Sequence, residues 1–368
     1  MAERVVVAGV GMVPFTATGA DAGGMAERAI RNALEDGGLD ADLVDQAIAS
    51  HVLGDPSAGE HALARAGITG IPVSNVSNGA ASGSTALFHA RQALLSGDAQ
   101  CALAVGFEET LAASTFEPDL VASCGTQLDW LVQRLGIGDE TFARVSAKAY
   151  AHGARNPHAA HRGPLSRQEA LAAPLIAGHL RRPYVSGASC GAAAVVLCTP
   201  RFASQHGLRD DVLLVAHALE SDDAADADEL RAQDALAAST TLRVGERAYE
   251  SAGVDPAEID VAEVHDCCVG DELISCAALG LCAAEHIARF VASRANTYGG
   301  RVVVSPSGGM LSLGNAPGAT GLAQICELAW QLRGEAGRRQ VPGAGIALQH
   351  NGGFGSGAVA VAILRRSE

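Results

Sequence analysis

What most restricts the fold of this chain is a layout that occurs twice: an apolar strand, a Gly/Ser turn, then a helix pattern. In the first half, residues 4–8 predict a buried strand, with Gly9, Gly11 and Pro14 as turn residues behind it. Helical spacing over 26–34 ends in Asp36-Gly37-Gly38, and a second helix over 85–95 stops at Ser96-Gly97-Asp98. Strands are predicted over 46–51, 73–76 and 101–106, and signals resume at 192–198 and 212–218. The layout then starts again with a helix over 236–252, a turn over 253–257 and a strand over 261–264, ending in a strand over 358–364. This alternation predicts a layered α/β protein, and 368 residues suffice for two similar halves.

One stretch breaks the rhythm. Residues 116–183 mix short helical patterns with Asn156-Pro157 and Gly163-Pro164, which predicts an inserted loop domain. The first half then comprises 1–115 and 184–235, and the second 236–368. His152, His158 and His161 fall in the insertion without tight ligand spacing or acidic or thiol companions. They are expected to be solvated loop histidines, and no metal site is expected. The acidic run SDDAADAD at 221–228 lacks the Gly and terminal Glu of a calcium loop and is expected to be a solvated turn.

The formal net charge of −15 argues against nucleic acid as a partner. No apolar run approaches a membrane-spanning length, and the first residues carry no basic segment, so they are expected to begin a strand rather than a targeting signal. Nine cysteines, an odd number without framework spacing, are expected to be free thiols in a reducing cytoplasm. Arg181, Arg182, Arg338 and Arg339 bear on whether an anionic ligand is accepted, and are expected to be ordinary surface charges.

Chemistry gathers at the turns. NVSNGAASGSTAL (75–87) leads an Asn/Gly/Ser run into a helix whose first N–H groups can stabilise negative charge, yet Ala80 and Ala81 hold no nucleophile. The strand ending at 264 runs directly into His265-Asp266-Cys267-Cys268 and a helix pattern, a favourable place for acid/base groups in an α/β sheet. The structural alternative is a helix cap at Asp266 with two buried thiols. SPSGGMLSLGNAPGATG (305–321) puts Asn315 before a helix over 322–332, where an amide can hold a carbonyl or phosphate oxygen. LQHNGGFGSG (348–357) is a third polar, glycine-rich strand end. Glycine runs singly mark turns; three at three strand ends predict one site.

EVHDC, NTYGG, PSGG-ML-SLG, PGATGLAQ, WQLRGEAG, RQVPGA and ALQHN together resemble the sterol-carrier-protein type of thiolase. That group includes the non-specific lipid-transfer proteins and acetyl-CoA acetyltransferases. The likeness is dense from 261 onward, extends to NVSNGAASGSTALFHARQ and LAVGFEE, and is poor over 116–183. It implies a thiolase fold of two five-stranded halves with a loop domain over an acyl-CoA site, a homodimer, and no cofactor beyond the thioester itself. Ala80 would stand where the family has its acylated Cys, with Ser82 and Gly83 kept and Asn78 kept as an oxyanion or substrate-binding residue. Asn315 would replace the oxyanion-hole His of a Gly-His-Pro motif. His265 would bind the thioester oxygen and Cys267 would act as acid/base, with Cys268 in place of an aromatic. His350, Asn351 and Gly353 would line the second oxyanion pocket.

Three functions follow from that pattern. A thioester enolate could be held and protonated without an acyl-enzyme, as in C–C cleavage. The chain could instead be a silent acyl-CoA-binding or scaffolding subunit beside an active thiolase or a zinc-ribbon/OB-fold companion. Or Cys267 or Cys190 could serve as a new nucleophile for acyl transfer, although Cys190 in SGASCGAAAVV suits core packing better.

Overall fold

The computed structural model of the chain describes residues 4–17, 21–109, 117–221, 239–352 and 357–367. Its strands are β1 (Val5–Met12), β2 (Gln46–Ser50), β3 (Val73–Val76), β4 (Cys101–Glu108), β5 (Leu175–Ala177), β6 (Leu180–Arg181), β7 (Gly191–Cys198), β8 (Val212–Ser221), β9 (Val261–Glu263), β10 (Val303–Val304), β11 (Ile346–Gly352) and β12 (Ala358–Arg366). The helices are α1 (Ala22–Gly37), α2 (Ala58–Arg65), α3 (Ser82–Ser96), α4 (Glu117–Leu135), α5 (Asp139–Gly153), α6 (Arg167–Ala172), α7 (Pro200–His206), α8 (Thr240–Ala252), α9 (Val269–Ala278), α10 (Ile287–Ala292), α11 (Gly309–Ser312) and α12 (Pro317–Arg333).

Ten strands form one sheet in the order β10-β9-β11-β12-β8-β1-β7-β4-β2-β3. Its two halves repeat one pattern from the outer edges inward. In β3-β2-β4-β7-β1 the pairings are parallel, parallel, antiparallel and antiparallel. They run the same way in β10-β9-β11-β12-β8. The halves meet where β1 and β8 pair antiparallel at Val5–Leu214 and Val6–Leu213. β8, from the stretch 184–235 that sequence alone gives to the first half, pairs from Val212 to Ser221 with β12 and so belongs to the second five-stranded set.

Burial explains the layers. β1, β4 and β7 are buried at every position, as apolar strands covered on both faces must be. One apolar cluster joins α3 and α12 between the two halves of the sheet, through Leu87, Leu94, Leu322, Leu328 and Leu332. A second covers the first half with α1 and α2, through Met25, Ile30 and Leu63. A third covers the second half with α8, through Val244 and Tyr249. The topologically matching helices α3 and α12 thus share the middle layer.

Several expectations need correction. Gly9 and Gly11 are not turn residues but lie inside β1: a Cβ there would sit 2.1 Å from the Ala33 carbonyl oxygen and 2.3 Å from that of Ala29. They are the space into which α1 packs. Residues 117–153 form two long helices rather than short ones. Among the histidines of that region His161 is exposed, but His152 is only 2% exposed, bonded to the Ser305 carbonyl at 2.9 Å and to Thr297 Oγ1 at 2.7 Å. Arg339 is likewise no surface charge: it is 5% exposed and ion-paired with Glu327 at 2.9 Å. The helix expected from 236 is described from Thr240, its start capped by Ser239 Oγ, which accepts from Leu242 N at 3.3 Å. Most of the acidic run, 222–228, lies outside the described residues.

Candidate active site

The site forms where corresponding connections of the two halves meet. After β3 the chain turns through Asn78-Gly79-Ala80-Ala81 into α3. Asn78 N donates to Ser82 Oγ at 2.8 Å, Ser82 Oγ donates to the Gly79 carbonyl at 2.7 Å, and Asn78 Nδ2 donates to Thr85 Oγ1 at 3.0 Å. The polar atoms of this turn therefore hold the turn itself. Ala80 is partly buried there and contributes only a methyl group.

After β9 the chain carries His265, Asp266, Cys267 and Cys268 into α9. The helix cap is Cys268, not Asp266: Cys268 N donates to Asp271 Oδ2 at 2.8 Å across the first turn. Asp266 instead accepts from Met310 N at 2.7 Å and so ties α11 to the end of β9. Its second oxygen is buried without a partner, and burial raises its carboxyl well above the ordinary carboxylate range. Glu263, the last residue of β9 and three positions before Asp266, accepts from Ser307 N at 2.9 Å and Ser307 Oγ at 2.7 Å. Burial, with Glu327 nearby, pushes its pKa to about 8. These carboxyl groups pin the connection that presents Asn315.

Three side chains converge on the Cys267 sulfur. His265 Nε2 lies 3.1 Å away, Asn315 Nδ2 donates from 3.6 Å, and Met310 Sδ lies at 3.8 Å. The tautomer of His265 follows from its other side. Ser84 Oγ donates to Asn351 Oδ1 at 2.9 Å, which turns Asn351 Nδ2 toward His265 Nδ1 at 3.0 Å. Nδ1 is thereby the acceptor and Nε2 carries the proton that points at sulfur. Burial lowers the His265 pKa to about 4 and raises the Cys267 thiol well above its ordinary value. At neutral pH the pair is an uncharged imidazole and thiol, not an ion pair. Asn315 Oδ1 is buried with no donor.

The network also joins the halves. Gln349 Nε2 donates to Ser84 Oγ at 2.7 Å and to Gln324 Oε1 at 2.9 Å, and Gln324 Nε2 donates to the His350 carbonyl at 3.1 Å. Gly321 makes the crossing of α3 and α12 close enough, since a Cβ there would lie 2.4 Å from Ser84 Oγ and 2.6 Å from Asn351 Oδ1. The turn holding Ala80 is thus one side-chain relay, Ser84 to Asn351, from His265.

The structure brings His265, Cys267, Asn315 and Asn351 together. It places His350 elsewhere: fully buried, it takes the His265 backbone N–H at 3.4 Å and faces Thr241 Oγ1 at 3.3 Å. Asn78 serves its own turn, and Gly353 lies outside the described residues. Cys190 is buried beside β1 in the first-half core. Ser84, Gln324, Met310 and Glu263 were not singled out from sequence, and Gln349 only as part of the LQHN motif. Ser84 lies one helical turn beyond Ala80, the one available signal. Among the described residues no group of three His, Cys, Asp or Glu side chains is arranged to hold a metal ion, and no helix is long and apolar enough to cross a membrane.

Fold and site together define a thiolase-type α/β protein. The family models for the N-terminal domain of thiolase and for the thiolase C-terminal domain-like region match residues 5–173 and 223–366, and the chain belongs to the thiolase family. It is 37% identical to human sterol carrier protein 2 over 99% of this chain and 72% of that protein. It is 30% identical to an acetyl-CoA acetyltransferase of Methanothermobacter thermautotrophicus over 91% of this chain and 92% of that one. A solved structure described as the Ltp2-ChsH2(DUF35) aldolase superposes with TM-score 0.84 at 20% identity, covering 99% of this chain and 98% of that one. The chain is therefore a member of the lipid-transfer and acyltransferase branch of thiolase-like proteins.

Proposed function

We propose that the protein binds an acyl-CoA or acyl-carrier thioester and cleaves a carbon–carbon bond through its enolate, without an acyl-enzyme. One observation carries this reading. Cys267 sulfur receives N–H groups from His265 and Asn315 in the free protein, while the Ala80 turn offers no atom that could be acylated. Those donors are placed to hold an enolate oxygen once substrate displaces the contact with sulfur. Asn315 differs from an imidazole in offering an amide oxygen as well, and its buried, unpartnered Oδ1 suits the hydroxyl of a β-hydroxyacyl thioester.

The reaction then balances. As the bond between the α and β carbons breaks, the neutral Cys267 thiol gives its proton to the α carbon while its sulfur takes the β-hydroxyl proton, so an aldehyde or ketone leaves, the shortened acyl thioester remains and the thiol is regenerated. A resting neutral thiol fits this exchange better than attack on a carbonyl. The fold neighbour described as an aldolase with a DUF35 chain supports carrying over the reaction class, and with it a companion of that kind. We place the family's homodimer in the same proposal.

Incubation with β-hydroxyacyl-CoA substrates, with carbonyl product followed by derivatisation, tests it. Cleavage by the wild-type chain, alone or with a companion, that is lost in Cys267→Ala is the expected result. Unchanged turnover in Cys267→Ala overturns the mechanism, and tight thioester binding without turnover under all conditions points to the silent subunit instead.

A further inference from the structure

A cavity of about 520 Å³ opens at the far end of α12, away from the Cys267 cluster. At 1.5 Å per residue, Trp330 in its lining sits roughly 20 Å along the helix from Pro317. Four arginines line it, in a chain whose formal net charge is −15. Arg339 is neutralised by Glu327 at 2.9 Å, and Glu335, the acid in the lining, by Arg209 at 2.9 Å. Arg155, Arg162 and Arg338 have no carboxylate within ion-pair distance among the described residues; the Arg155 guanidinium lies over the Tyr298 ring, 4.4 Å from its centroid.

The rest of the lining says what such a charge cluster would read. The His158 ring stacks on Trp330 with centroids 5.2 Å apart and planes 18° from parallel. That face of the indole is covered, so a planar base has no platform there. His158 Nδ1 is buried with no hydrogen-bond partner, and burial holds the ring neutral, with a pKa of about 4. The cavity thus offers positive charge and unused polar capacity rather than an aromatic slot.

We propose that this cavity binds a compact phosphate-bearing anion through Arg155, Arg162 and Arg338, independently of the thioester reading. Arginine forks suit phosphate oxygens, which accept paired N–H bonds. Recognition rests on the phosphate groups, so inorganic pyrophosphate and a nucleoside diphosphate are both ligands.

Titration calorimetry with inorganic pyrophosphate, and separately with ADP, tests the assignment. Saturable binding is expected, weakened at least tenfold in Arg162→Ala/Arg338→Ala and retained in Asn315→Ala, where the thioester site is altered instead. Equal affinity for the two probes assigns recognition to phosphate alone, and tighter ADP binding assigns it to a nucleotide ester. Absence of binding by the wild-type protein, or binding undiminished in the arginine variant, overturns the proposal. Because both substituted arginines are exposed, the variant's thermal melt should match wild type; Arg155→Ala with an unchanged melt serves as a second variant if it does not.

Discussion

The β3–α3 and β10–α12 connections occupy equivalent places in the two halves, yet they use their polar atoms in opposite ways. Between β3 and α3, Asn78 and Ser82 bond to each other's backbone surroundings and to Thr85, and the residue left pointing away is an alanine. Between β10 and α12, backbone N–H groups are held by Glu263 at the end of the neighbouring β9 and by Asp266 just beyond it. Asn315 is left with one amide hydrogen on Cys267 and a buried oxygen on nothing. The first connection is a scaffold that holds itself; the second is held by others and presents groups for chemistry. On the proposed reading, the groups available for chemistry lie in the second half, while the first half contributes a self-bonded turn.

That contrast can be broken most decisively at Cys267. In Cys267→Ala, cleavage of a β-hydroxyacyl thioester is expected to fall about 10²–10⁴-fold, the range for a lost acid/base group, with the fold intact. Asn315→Ala comes next, with turnover expected about 10²–10³-fold lower because an oxyanion donor is gone. Steady-state kinetics check both, and a first-half residue that mattered as much would erase the distinction. Asn351→Ala is expected to lower turnover about 10–100-fold by freeing the His265 tautomer. A shift in the imidazole nitrogen resonances by NMR would show that the ring, not the substrate, had changed. Ser82→Ala is the mildest at the site: about 1 kcal/mol of stability lost in urea, with turnover nearly unchanged.

Acid stability gives another handle. His265 and His350, with pKa values lowered to about 4 and 3, contribute stability above the unfolded histidine value near 6.5, and lose it as pH falls through the folded values. Glu263, raised to about 8, has the opposite sign: its contribution is present below about 4.5 and is lost as pH rises to 8. Denaturation midpoints of Glu263→Gln should therefore show a shallower decline between pH 5 and 8 than those of wild type.

Much of the fold was legible because buried strands in a doubly covered sheet are apolar at every step. β4 and β7 appear in the sequence almost at their observed bounds for that reason. Gly9 and Gly11 misled because glycine marks turns by conformational freedom and helix packing by absence of a side chain, and only the position of α1 distinguishes the two. His152 misled because a histidine in a polar stretch carries no sign of burial; its bonds reach residues 145 and 153 positions away. The site was legible as motifs, His265 and Cys267 at one strand end and Asn315 before a helix. The placement of His350 was not, since its motif shares a strand end with Asn351 while adjacent side chains on a strand face opposite ways.

By itself the sequence determined the repeated strand and helix order, the apolar layers and the absence of a nucleophile at position 80, because residue type and local periodicity carry that information directly. Tertiary structure decided which polar atoms meet: that Ser84 in one half orients Asn351 in the other, that Asn351 sets the proton of His265, and that Arg338 shares a cavity with the distant Arg155 and Arg162. These are contacts between distant segments, set by how the two halves pack across α3 and α12, and no local pattern of residues encodes them.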